Sequence, residues 1–471
     1  MLIIADDITG AAEIAGIAWR KGLKVNLRLS GHKVATLSGY EDLKTSKPQN
    51  LKTSITVIAT DTRSGTEEEA VKTIEYLFAP STSPLQGGVG GGLIFKKTDS
   101  VLRGHVAAEL QALMRVTGKQ KALLIPQNPS KGRIVKDGIY YINGTPLDQT
   151  SFAYDPEFPA KTAEAKKLLK RSAGVQECRS SDNSWTSNLS SPSSHLSSIS
   201  SPKGEDGRGL LLPDATTLEE IREHVAKADN DTLFAGGADM FEAVVDYLLG
   251  VQECRSEGVQ TLPSSTSNSS TEKNLILCGS TQSRSLINEP FFANKNAIEV
   301  TMPEYVFHGT ASIDETNAWI ATLKDHWQNH DVMIVRIGHE ATGGKEYAVR
   351  LRKLFGEMAY QILSPDQGVQ EYRSEGVQTL PSSTSNSSTR QLVNSSTCEA
   401  LNSSTCEALN SSTRIIIEGG ATAYSVLERL GISSFDVEYE YSPGVVCLSH
   451  GNMRIILKPG SYPWGNLFEE L

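Results

Sequence analysis

The feature that most constrains the fold is a series of short apolar runs that each end in polar or glycine residues. Runs of this kind, alternating with segments of helical periodicity, are typical of strands and helices around a parallel sheet. The runs are LIIA, ITVIAT, GLIFKK and ALLIP in a first series and NLILCGS, VMIVRIG, RIIIEGGAT and MRIILKPG in a second. We therefore predict an α/β protein with two domains, each built on a largely parallel sheet with flanking helices.

Low-complexity segments interrupt this pattern. The segment GVQECRSEGVQTLPSSTSNSST begins at Gly250 and is repeated from Gly368, with Tyr372 in place of Cys254. A related segment begins at Gly174. Segments so rich in Ser, Thr and Asn bury too little apolar surface to offset chain entropy. We predict that they are flexible surface insertions, with a Ser-rich interaction or modification tract as the alternative.

The same pattern gives the predicted domain boundaries. Residues 1–249 form the first domain, with an insertion at about 174–208, and residues 250–273 form a low-complexity linker. Residues 274–471 form the second domain, with an insertion at about 364–413.

Composition and charge narrow the classes of function. The formal net charge is −10, so general binding to nucleic acid or to an anionic membrane is not expected. No apolar run approaches the ~20 residues of a membrane span, and no leader precedes the first strand, which predicts a cytoplasmic protein. The 6 cysteines form no CxxC pair, so neither a zinc site nor a disulfide framework is predicted.

Charged side chains follow three predicted strands of the first domain. Asp6 and Asp7 come directly after the first strand, where Thr9 is the predicted cap of the next helix, and Arg63 follows the second strand. The third strand end carries Lys97, Asp99, Ser100 and Arg103. Because the carboxyl ends of parallel strands gather around one crevice, we expect the three cations to meet Asp6 and Asp7 there.

Each of these features also has an ordinary structural explanation. A pair of aspartates is often a helix cap or a solvated turn, a pair of lysines is often a solvated face, and Arg103 could pair with a surface carboxylate. Together, at successive strand ends, they suit a small hydroxy acid. Cations would bind its carboxylate, and carboxylates would bind its hydroxyls.

The motifs IADDITGA, TDTRS and KKTDSVLRG, in this order, resemble those of the four-carbon acid sugar kinase family. The segment IPQNPSKGRIVKDGIYYINGTPLDQTSFAYDPEFP also resembles the family, and its Asp137-Gly138 and Asn143-Gly144 pairs are strong signals for tight turns. The resemblance covers most of both domains apart from the insertions. It implies an N-terminal domain that binds the acid sugar and a C-terminal domain that binds the nucleotide.

The resemblance also implies site residues at the matching motif positions. Those implied to hold the substrate are Asp6, Asp7, Arg63, Lys97, Thr98, Asp99 and Ser100. Those implied to bind the nucleotide are Gly279 and Ser280, then Gly419, Gly420, Ala421 and Thr422, and finally Gly460. Glycines at strand ends let backbone amides approach phosphates closely, although they can also serve only as tight turns.

Two departures from the family's usual pattern concern the nucleotide motifs. Ala421 stands where the family usually has an acidic residue, and KPGSYPWG replaces the usual Lys-Pro-Gly-Asn-Phe-Gly. A separate segment, GHEATGGKE, looks like a P-loop, but its spacing is one residue off. Glu346 also stands where Ser or Thr would bind magnesium. We therefore predict no P-loop.

The function implied by the resemblance is ATP-dependent phosphorylation of a hydroxyl on a four-carbon sugar acid such as erythronate, threonate or 3-oxo-tetronate, with ATP and Mg²⁺. Phosphoryl transfer needs a proton acceptor, for which Asp7 and Asp99 are the candidates. Lys97, Arg63 and Arg103 would hold the substrate carboxylate or the transferred phosphoryl group. The alternative, motivated by Ala421, is a sugar-acid or nucleotide-binding homologue with impaired catalysis. Metal ligands are unassigned, and a homo-oligomer is left open.

Overall fold

The computed structural model describes most of the chain outside the repetitive segments. The described residues are 1–30, 55–79, 93–155, 157–171, 209–250, 273–281, 283–340, 344–364, 413–460 and 462–471. Apart from their end residues, the predicted insertions lie outside the described residues. Their flexibility and the exact domain boundaries therefore stay predictions.

The N-terminal half, residues 1–250, alternates strands with helices as predicted. Its strands are β1 (Leu2–Ala5), β2 (Val25–Leu29), β3 (Ile55–Ala59), β4 (Ile94–Lys97), β5 (Lys121–Ile125), β6 (Arg133–Lys136), β7 (Ile139–Ile142), β8 (Thr145–Pro146), β9 (Gly209–Leu211) and β10 (Thr232–Gly236). Its helices are α1 (Ile8–Arg20), α2 (Glu67–Leu77), α3 (Val106–Thr117), α4 (Ala165–Arg171), α5 (Leu218–Ala226) and α6 (Ala238–Leu249).

The C-terminal half, residues 273–471, is also built from strands and helices, but it ends in antiparallel strands. Its strands are β11 (Lys273–Cys278), β12 (Ala297–Thr301), β13 (Val332–Arg336), β14 (Thr413–Glu418), β15 (Ser434–Ser442), β16 (Val445–His450) and β17 (Met453–Lys458). Its helices are α7 (Glu304–His308), α8 (Ile313–Asn329), α9 (Lys345–Leu363), α10 (Gly420–Arg429) and α11 (Leu467–Glu470).

Within the described part of the chain, 14 strands form one continuous sheet. Their order is β12-β13-β11-β14-β17-β16-β15-β2-β3-β1-β4-β10-β5-β9. The seven strands from β2 to β9 in this order are all parallel, and so are the five from β12 to β17. The prediction of two largely parallel α/β units is confirmed. The sequence did not reveal that β15 pairs antiparallel with β2 and so joins the two halves.

The strand that joins the halves carries a different hydrophobic pattern from the central strands. β14 is buried at five of its six positions, whereas β15 is buried only at Phe435 and Glu440 among its nine. Parallel central strands read as continuous apolar runs because both of their faces are covered. β15 has no such run, which is why the predicted series of strands missed it.

A small separate sheet of β6, β7 and β8 lies within the N-terminal half. The two predicted tight turns are confirmed. Asp137 and Gly138 have φ values of 53° and 75°, and Asn143 and Gly144 have φ values of 49° and 81°. This left-handed pair of conformations is what a two-residue hairpin turn requires.

One apolar cluster extends through both halves. It contains Ile3 and Ile14 from the N-terminal half and Leu277 and Val426 from the C-terminal half. Neighbours of Ile3 in β1 belong to a second cluster on the opposite face of the sheet, as the alternation of strand side chains requires. No helix in the described part of the chain is long and apolar enough to cross a membrane.

Candidate active site

Arg63 joins the two carboxylates that follow β1. Ala5 pairs with Ala59 in neighbouring parallel strands, so the residues after β1 and β3 lie together. Arg63 Nε donates to Asp6 Oδ2 at 2.9 Å, and Arg63 Nη1 donates to Asp7 Oδ2 at 3.1 Å. Arg63 therefore supplies the positive charge that was expected to balance the paired carboxylates.

Asp7 is also the N-cap of α1. Its Oδ1 accepts a hydrogen bond from the Gly10 amide at 2.9 Å, and its Oδ2 accepts one from Thr9 Oγ1 at 2.8 Å. The prediction of Thr9 as the cap is therefore wrong. An ionised carboxylate at the first turn satisfies a free amide and also interacts favourably with the helix dipole, so Asp7 takes that position.

The two adjacent aspartates differ in their electrostatics. Burial raises the pKa of Asp6 above its ordinary value, although Arg63 opposes this effect. Burial acts on Asp7 in the same direction, but Arg63 and Lys97 outweigh it and hold the pKa of Asp7 below its ordinary value. Asp6 Oδ1 is buried and has no hydrogen-bond partner among the described residues. Asp7 is thus stabilised as an anion, while Asp6 offers an acceptor atom to a ligand.

Asp99 and Arg103 form a second charged group in the loop after β4. Arg103 Nη2 donates to Asp99 Oδ1 at 2.9 Å, and Arg103 Nη1 donates to Asp155 Oδ2 at 3.1 Å. The amides of Val101 and Arg103 also donate to Asp99. Burial opposes ionisation of Asp99, but Arg103 and Arg63 hold its pKa far below the ordinary value. The expected pairing of Arg103 with Asp6 and Asp7 is wrong, because Arg103 lies between Asp99 and Asp155.

Lys97 does not form an ion pair with Asp6 or Asp7 either. Its Nζ lies 3.4 Å from Glu13 Oε2 on α1 and donates to the Thr98 carbonyl at 3.1 Å. A β-carbon at Gly10 would lie 3.2 Å from Lys97 Nζ and 2.5 Å from Asp7 Oδ1. The ammonium therefore lies beside the first turn of α1 and acts on Asp7 through its charge rather than through a hydrogen bond.

Thr98 and Ser100 complete the predicted substrate loop. Thr98 Oγ1 is buried without a hydrogen-bond partner among the described residues. The Ser100 hydroxyl accepts a hydrogen bond from Arg133 Nη1, and the Ser100 carbonyl accepts one from Tyr140 Oη at 2.6 Å. Arg133 and Tyr140 belong to the small sheet of β6 to β8, which therefore borders the site.

Four polar residues near the site were not among the predicted ones. They are Glu13, Lys131, Arg133 and Tyr462. A signal for Glu13 exists, because α1 is buried without interruption from Ile8 to Ala18 and Glu13 is the only charged residue in that stretch. A buried carboxylate needs a partner, so this position should carry cations beside it. Nothing in the sequence near Glu13 indicates which cations those are.

The predicted nucleotide loops converge at the carboxyl ends of β11, β14 and β17. A β-carbon at Gly279 would lie 2.0 Å from Thr422 Oγ1, and one at Gly460 would lie 3.5 Å from Ser280 Oγ. Gly419 has a φ of 100°, which favours glycine, and it is the N-cap of α10. Beneath these loops, Lys458 Nζ donates to Glu418 Oε1 at 2.5 Å. The structure thus brings the loops at residues 279–280, 419–422 and 460 together, and their role in binding a nucleotide stays a prediction.

Ala421 lies in the first turn of α10 and is exposed. That turn contains no acidic residue. Backbone amides at this helix end remain available to an anion, since the N-terminus of a helix carries a positive partial charge and unpaired amides. The departure from the family's pattern therefore removes a carboxylate without closing the helix end.

Gly420 brings the two halves into contact at the site. A β-carbon at this position would lie 2.9 Å from both Asp7 Oδ2 and Thr9 Oγ1. The first turn of α10 and the first turn of α1 therefore face each other without room for one additional carbon. The predicted acid-binding residues and the predicted nucleotide loops border the same space.

A resident metal site is not formed by side chains alone in the described part of the chain. No group of three or more His, Cys, Asp and Glu residues there is arranged to hold a metal ion.

Comparisons with known proteins agree with this division of the site. Residues 1–244 match a family model described as a sugar-binding N-terminal domain, and residues 315–462 match one described as a nucleotide-binding C-terminal domain. A D-threonate kinase of Salmonella typhimurium is 26% identical over 256 residues, and a D-erythronate kinase of Heliobacterium modesticaldum is 31% identical over 160 residues. The chain belongs to the four-carbon acid sugar kinase family.

The alignments to these family members are partial. The first covers 52% of this chain and 53% of the Salmonella protein, and the second covers 34% of this chain and 33% of the Heliobacterium protein. The chain thus spans about half the length, or less, of the curated relatives it matches. A crystal structure of a Haemophilus influenzae protein matches over 100% of this chain and 98% of its own length, with a TM-score of 0.55 and 16% identity. That likeness supports the fold.

Proposed function

We propose that the protein is an ATP-dependent kinase that phosphorylates a hydroxyl of a four-carbon sugar acid of the erythronate, threonate or 3-oxo-tetronate type. The main support is the contact between Gly420 and Asp7, where the first turns of α10 and α1 meet. A phosphate on the glycine loops and a hydroxyl beside Asp7 would then be neighbours. Transfer between them requires little more than positioning and charge neutralisation.

Asp7 is the better candidate for the proton acceptor. Asp99 accepts hydrogen bonds from two backbone amides and from Arg103, and its pKa is far below the ordinary value, so it is a weak base. Arg63 and Lys97 also lower the pKa of Asp7, but its carboxylate lies against the nucleotide loop, where a reacting hydroxyl would be. In this proposal Asp7 takes the hydroxyl proton, and Asp99 keeps Arg103 in place.

The remaining polar atoms suit a hydroxy acid. Asp6 Oδ1 and Thr98 Oγ1 are buried without partners among the described residues, and each would gain a hydrogen bond from a substrate hydroxyl. A buried polar group without a partner is costly, so a ligand that satisfies both is favoured. Lys97, with Arg103 and Ser100, would bind the carboxylate. The backbone at Gly279, Ser280, Gly419, Gly420, Ala421, Thr422 and Gly460 would bind ATP.

Magnesium fits this arrangement as a companion of the nucleotide. Asp7 places a hard carboxylate oxygen against the first turn of α10, and Asp6 shares Arg63 with it, which suits a cation that keeps most of its other ligands as water and phosphate. Mg²⁺ supplies neutralisation of charge on the phosphates during transfer. Asp6 and Asp7 are the residues that would hold it.

The test is a phosphorylation assay with purified protein, ATP and Mg²⁺. Erythronate, threonate and 3-oxo-tetronate isomers serve as acceptors, and the neutral sugar alcohol of the same length serves as the control. We expect ADP formation with at least one acid and much slower turnover of the alcohol. Equal rates with acid and alcohol would contradict an acid-specific site.

The second candidate is a sugar-acid or nucleotide-binding homologue with impaired catalysis. It is favoured by the absence of an acidic residue in the first turn of α10, where Ala421 stands. Calorimetry separates the two functions, because this candidate binds acid or nucleotide but consumes no ATP. Restoring a carboxylate with Ala421→Asp should then raise turnover.

A further inference from the structure

A group of buried and half-buried polar side chains connects the two halves next to the site. It consists of Glu13, Lys97, Lys131 and Tyr462, and is called the cross-half cluster below. Lys131 Nζ donates to Glu13 Oε1 at 2.5 Å, and Tyr462 Oη donates to the same oxygen at 2.8 Å. The other oxygen, Glu13 Oε2, lies 3.4 Å from Lys97 Nζ. Glu13 is only 4% exposed, so its carboxylate is matched by two ammonium groups and one hydroxyl.

The Tyr462 ring is held on two sides, which sets the direction of its hydroxyl. Lys131 Nζ lies 4.0 Å from the ring centroid and also donates to Tyr462 Oη at 2.7 Å. A β-carbon at Gly444 would lie 2.8 Å from Tyr462 Cε2, so the ring packs directly on this glycine. The left-handed φ of 88° at Gly444 also disfavours any larger residue there.

The cross-half cluster joins two loops that are predicted to bind different ligands. Tyr462 lies two residues after Gly460 in the nucleotide loop of the C-terminal half, whereas Lys97 ends β4 in the substrate site of the N-terminal half. Glu13 lies between them on α1. The Glu13 carboxylate thus bridges Tyr462 and Lys97: its Oε1 accepts from Tyr462 as well as from Lys131, and its Oε2 lies beside Lys97.

We propose that Glu13 and Tyr462 are positioning residues for Lys97, so that a residue of the nucleotide loop sets the affinity of the other half for the sugar acid. This inference rests on the function proposed above. Neither residue needs to contact the substrate. Their effect is to hold the Lys97 ammonium where a substrate carboxylate meets it.

The physical basis is the entropy of a long side chain. A lysine that is free to rotate loses that freedom when it binds an anion, whereas one already held in place loses less. Burial alone would raise the pKa of Glu13, but Lys97 and Lys131 outweigh it and lower the pKa to about 2. Glu13 is therefore an anion at neutral pH, and it holds Lys97 through charge.

The test compares Tyr462→Phe with Tyr424→Phe by steady-state kinetics. Tyr424 is the matched control, because its hydroxyl also crosses between the halves, donating to the Ser30 carbonyl at 3.1 Å, but it does not touch the cluster. We expect Tyr462→Phe to raise the KM for the acid by about five- to tenfold, within the range that one hydrogen bond contributes on balance. The KM for ATP should stay within about twofold, as should both constants in Tyr424→Phe.

A double-mutant cycle with Lys97→Met makes the test specific. If Tyr462 acts through Lys97, then Tyr462→Phe should have no further effect on kcat/KM for the acid once Lys97 is gone. A rise in the KM for ATP instead, or an undiminished effect in the Lys97→Met background, would show that Tyr462 acts only within its own loop and would overturn the inference. A wild-type protein that phosphorylates no four-carbon acid would refute the proposed function itself.

Discussion

The two halves present opposite kinds of site. At the strand ends of the N-terminal half, charged side chains are packed against each other, as in the contacts of Arg63 with Asp6, Asp7 and Asp99 at 2.8, 3.1 and 3.6 Å. At the strand ends of the C-terminal half, glycines adjoin one another, and even a β-carbon at Gly279 would collide with Thr422. A small hydroxy acid is recognised by directional side-chain groups, whereas phosphates are recognised by backbone amides.

The difference has an energetic side. The buried carboxylates of the N-terminal half are stabilised as anions only because arginines and lysines lie beside them, as the lowered pKa values of Asp7 and Asp99 reflect. Most of the Arg63 guanidinium is therefore engaged within the protein before any ligand binds. Among the described residues of the C-terminal half, the buried ion pair of Lys458 with Glu418 lies beneath the glycine loops, and the constraint within those loops is steric. Charge substitutions should thus matter in the first half and added volume in the second.

The largest expected effect is that of Asp7→Asn. Asparagine can still accept the Gly10 amide as a helix cap, but it carries no charge toward Arg63 and accepts no proton. We expect turnover to fall by ~10²–10⁴, the range for loss of a general base. The melting temperature should also fall, because the fold favours the ionised form of Asp7. Turnover within a few-fold of wild type would show that Asp7 is only a cap.

Gly420→Ala tests the steric constraint at the glycine loops of the C-terminal half. The new β-carbon would lie 2.9 Å from Asp7 Oδ2 and Thr9 Oγ1, so Asp7 or the loop must move. A displacement of this kind can cost about 10²-fold in rate, and we expect kcat to fall by about ten- to a hundredfold. Gly344→Ala is the matched control, since Gly344 also lies at the start of a helix, as the N-cap of α9, but has open space around it and a φ of −85°. Equal losses in both variants would argue against a specific contact.

Lys97→Met tests whether the acid and ATP are recognised by different residues. It keeps the aliphatic length but removes the charge that would meet the acid, so we expect the KM for the acid to rise by about ten- to a hundredfold, as for the loss of a charge-assisted contact. The KM for ATP should change by less than about twofold. A comparable rise for ATP would show that the charged and glycine-rich regions do not divide recognition between them.

Much of this arrangement was predictable because it depends on local sequence. Apolar runs that end in Asp6, Arg63 or Lys97 place those residues at the carboxyl ends of adjacent parallel strands, and the glycine loops follow the same rule. Arg103 was misplaced because it binds Asp99 of its own loop and Asp155 of a distant loop instead. The order of the strands predicts which residues lie at the carboxyl edge of the sheet, but it does not predict which charged side chains pair there.

Contacts between distant segments could not be predicted. Tyr462 and Glu13 are 449 positions apart, and the hydroxyl of one meets the carboxylate of the other because α1 packs on the C-terminal half, to which β2 is joined through β15. β15 lacks a continuous apolar run, so its place in the sheet is determined by its partners rather than by its own pattern. The cross-half cluster therefore became visible only in three dimensions.

The smallest expected effect concerns Asp61, a carboxylate of the N-terminal half that faces Arg352 of the C-terminal half. Burial raises the pKa of Asp61 to about 7, although Arg352 opposes the rise. An unfolded aspartate titrates near pH ~3.9, so the folded protein holds its proton more tightly than the unfolded chain does. The contribution of Asp61 to stability is therefore most favourable below pH ~4, and it is lost as the pH rises to about 7.

Asp61→Asn should remove this pH dependence. Asparagine tolerates the left-handed φ of 51° at this position and has no charge to bury. We expect a melting temperature above that of wild type at pH 8, with a smaller gain at pH 5. Asp229→Asn is the control of opposite sign, because hydrogen bonds from Lys121 and Thr232 lower the pKa of Asp229 to about 2, so its charged form is the favoured one. An equal gain in melting temperature at both pH values for Asp61→Asn would assign the effect to the backbone preference of asparagine. It would show that burying the Asp61 charge where the halves meet does not lower stability.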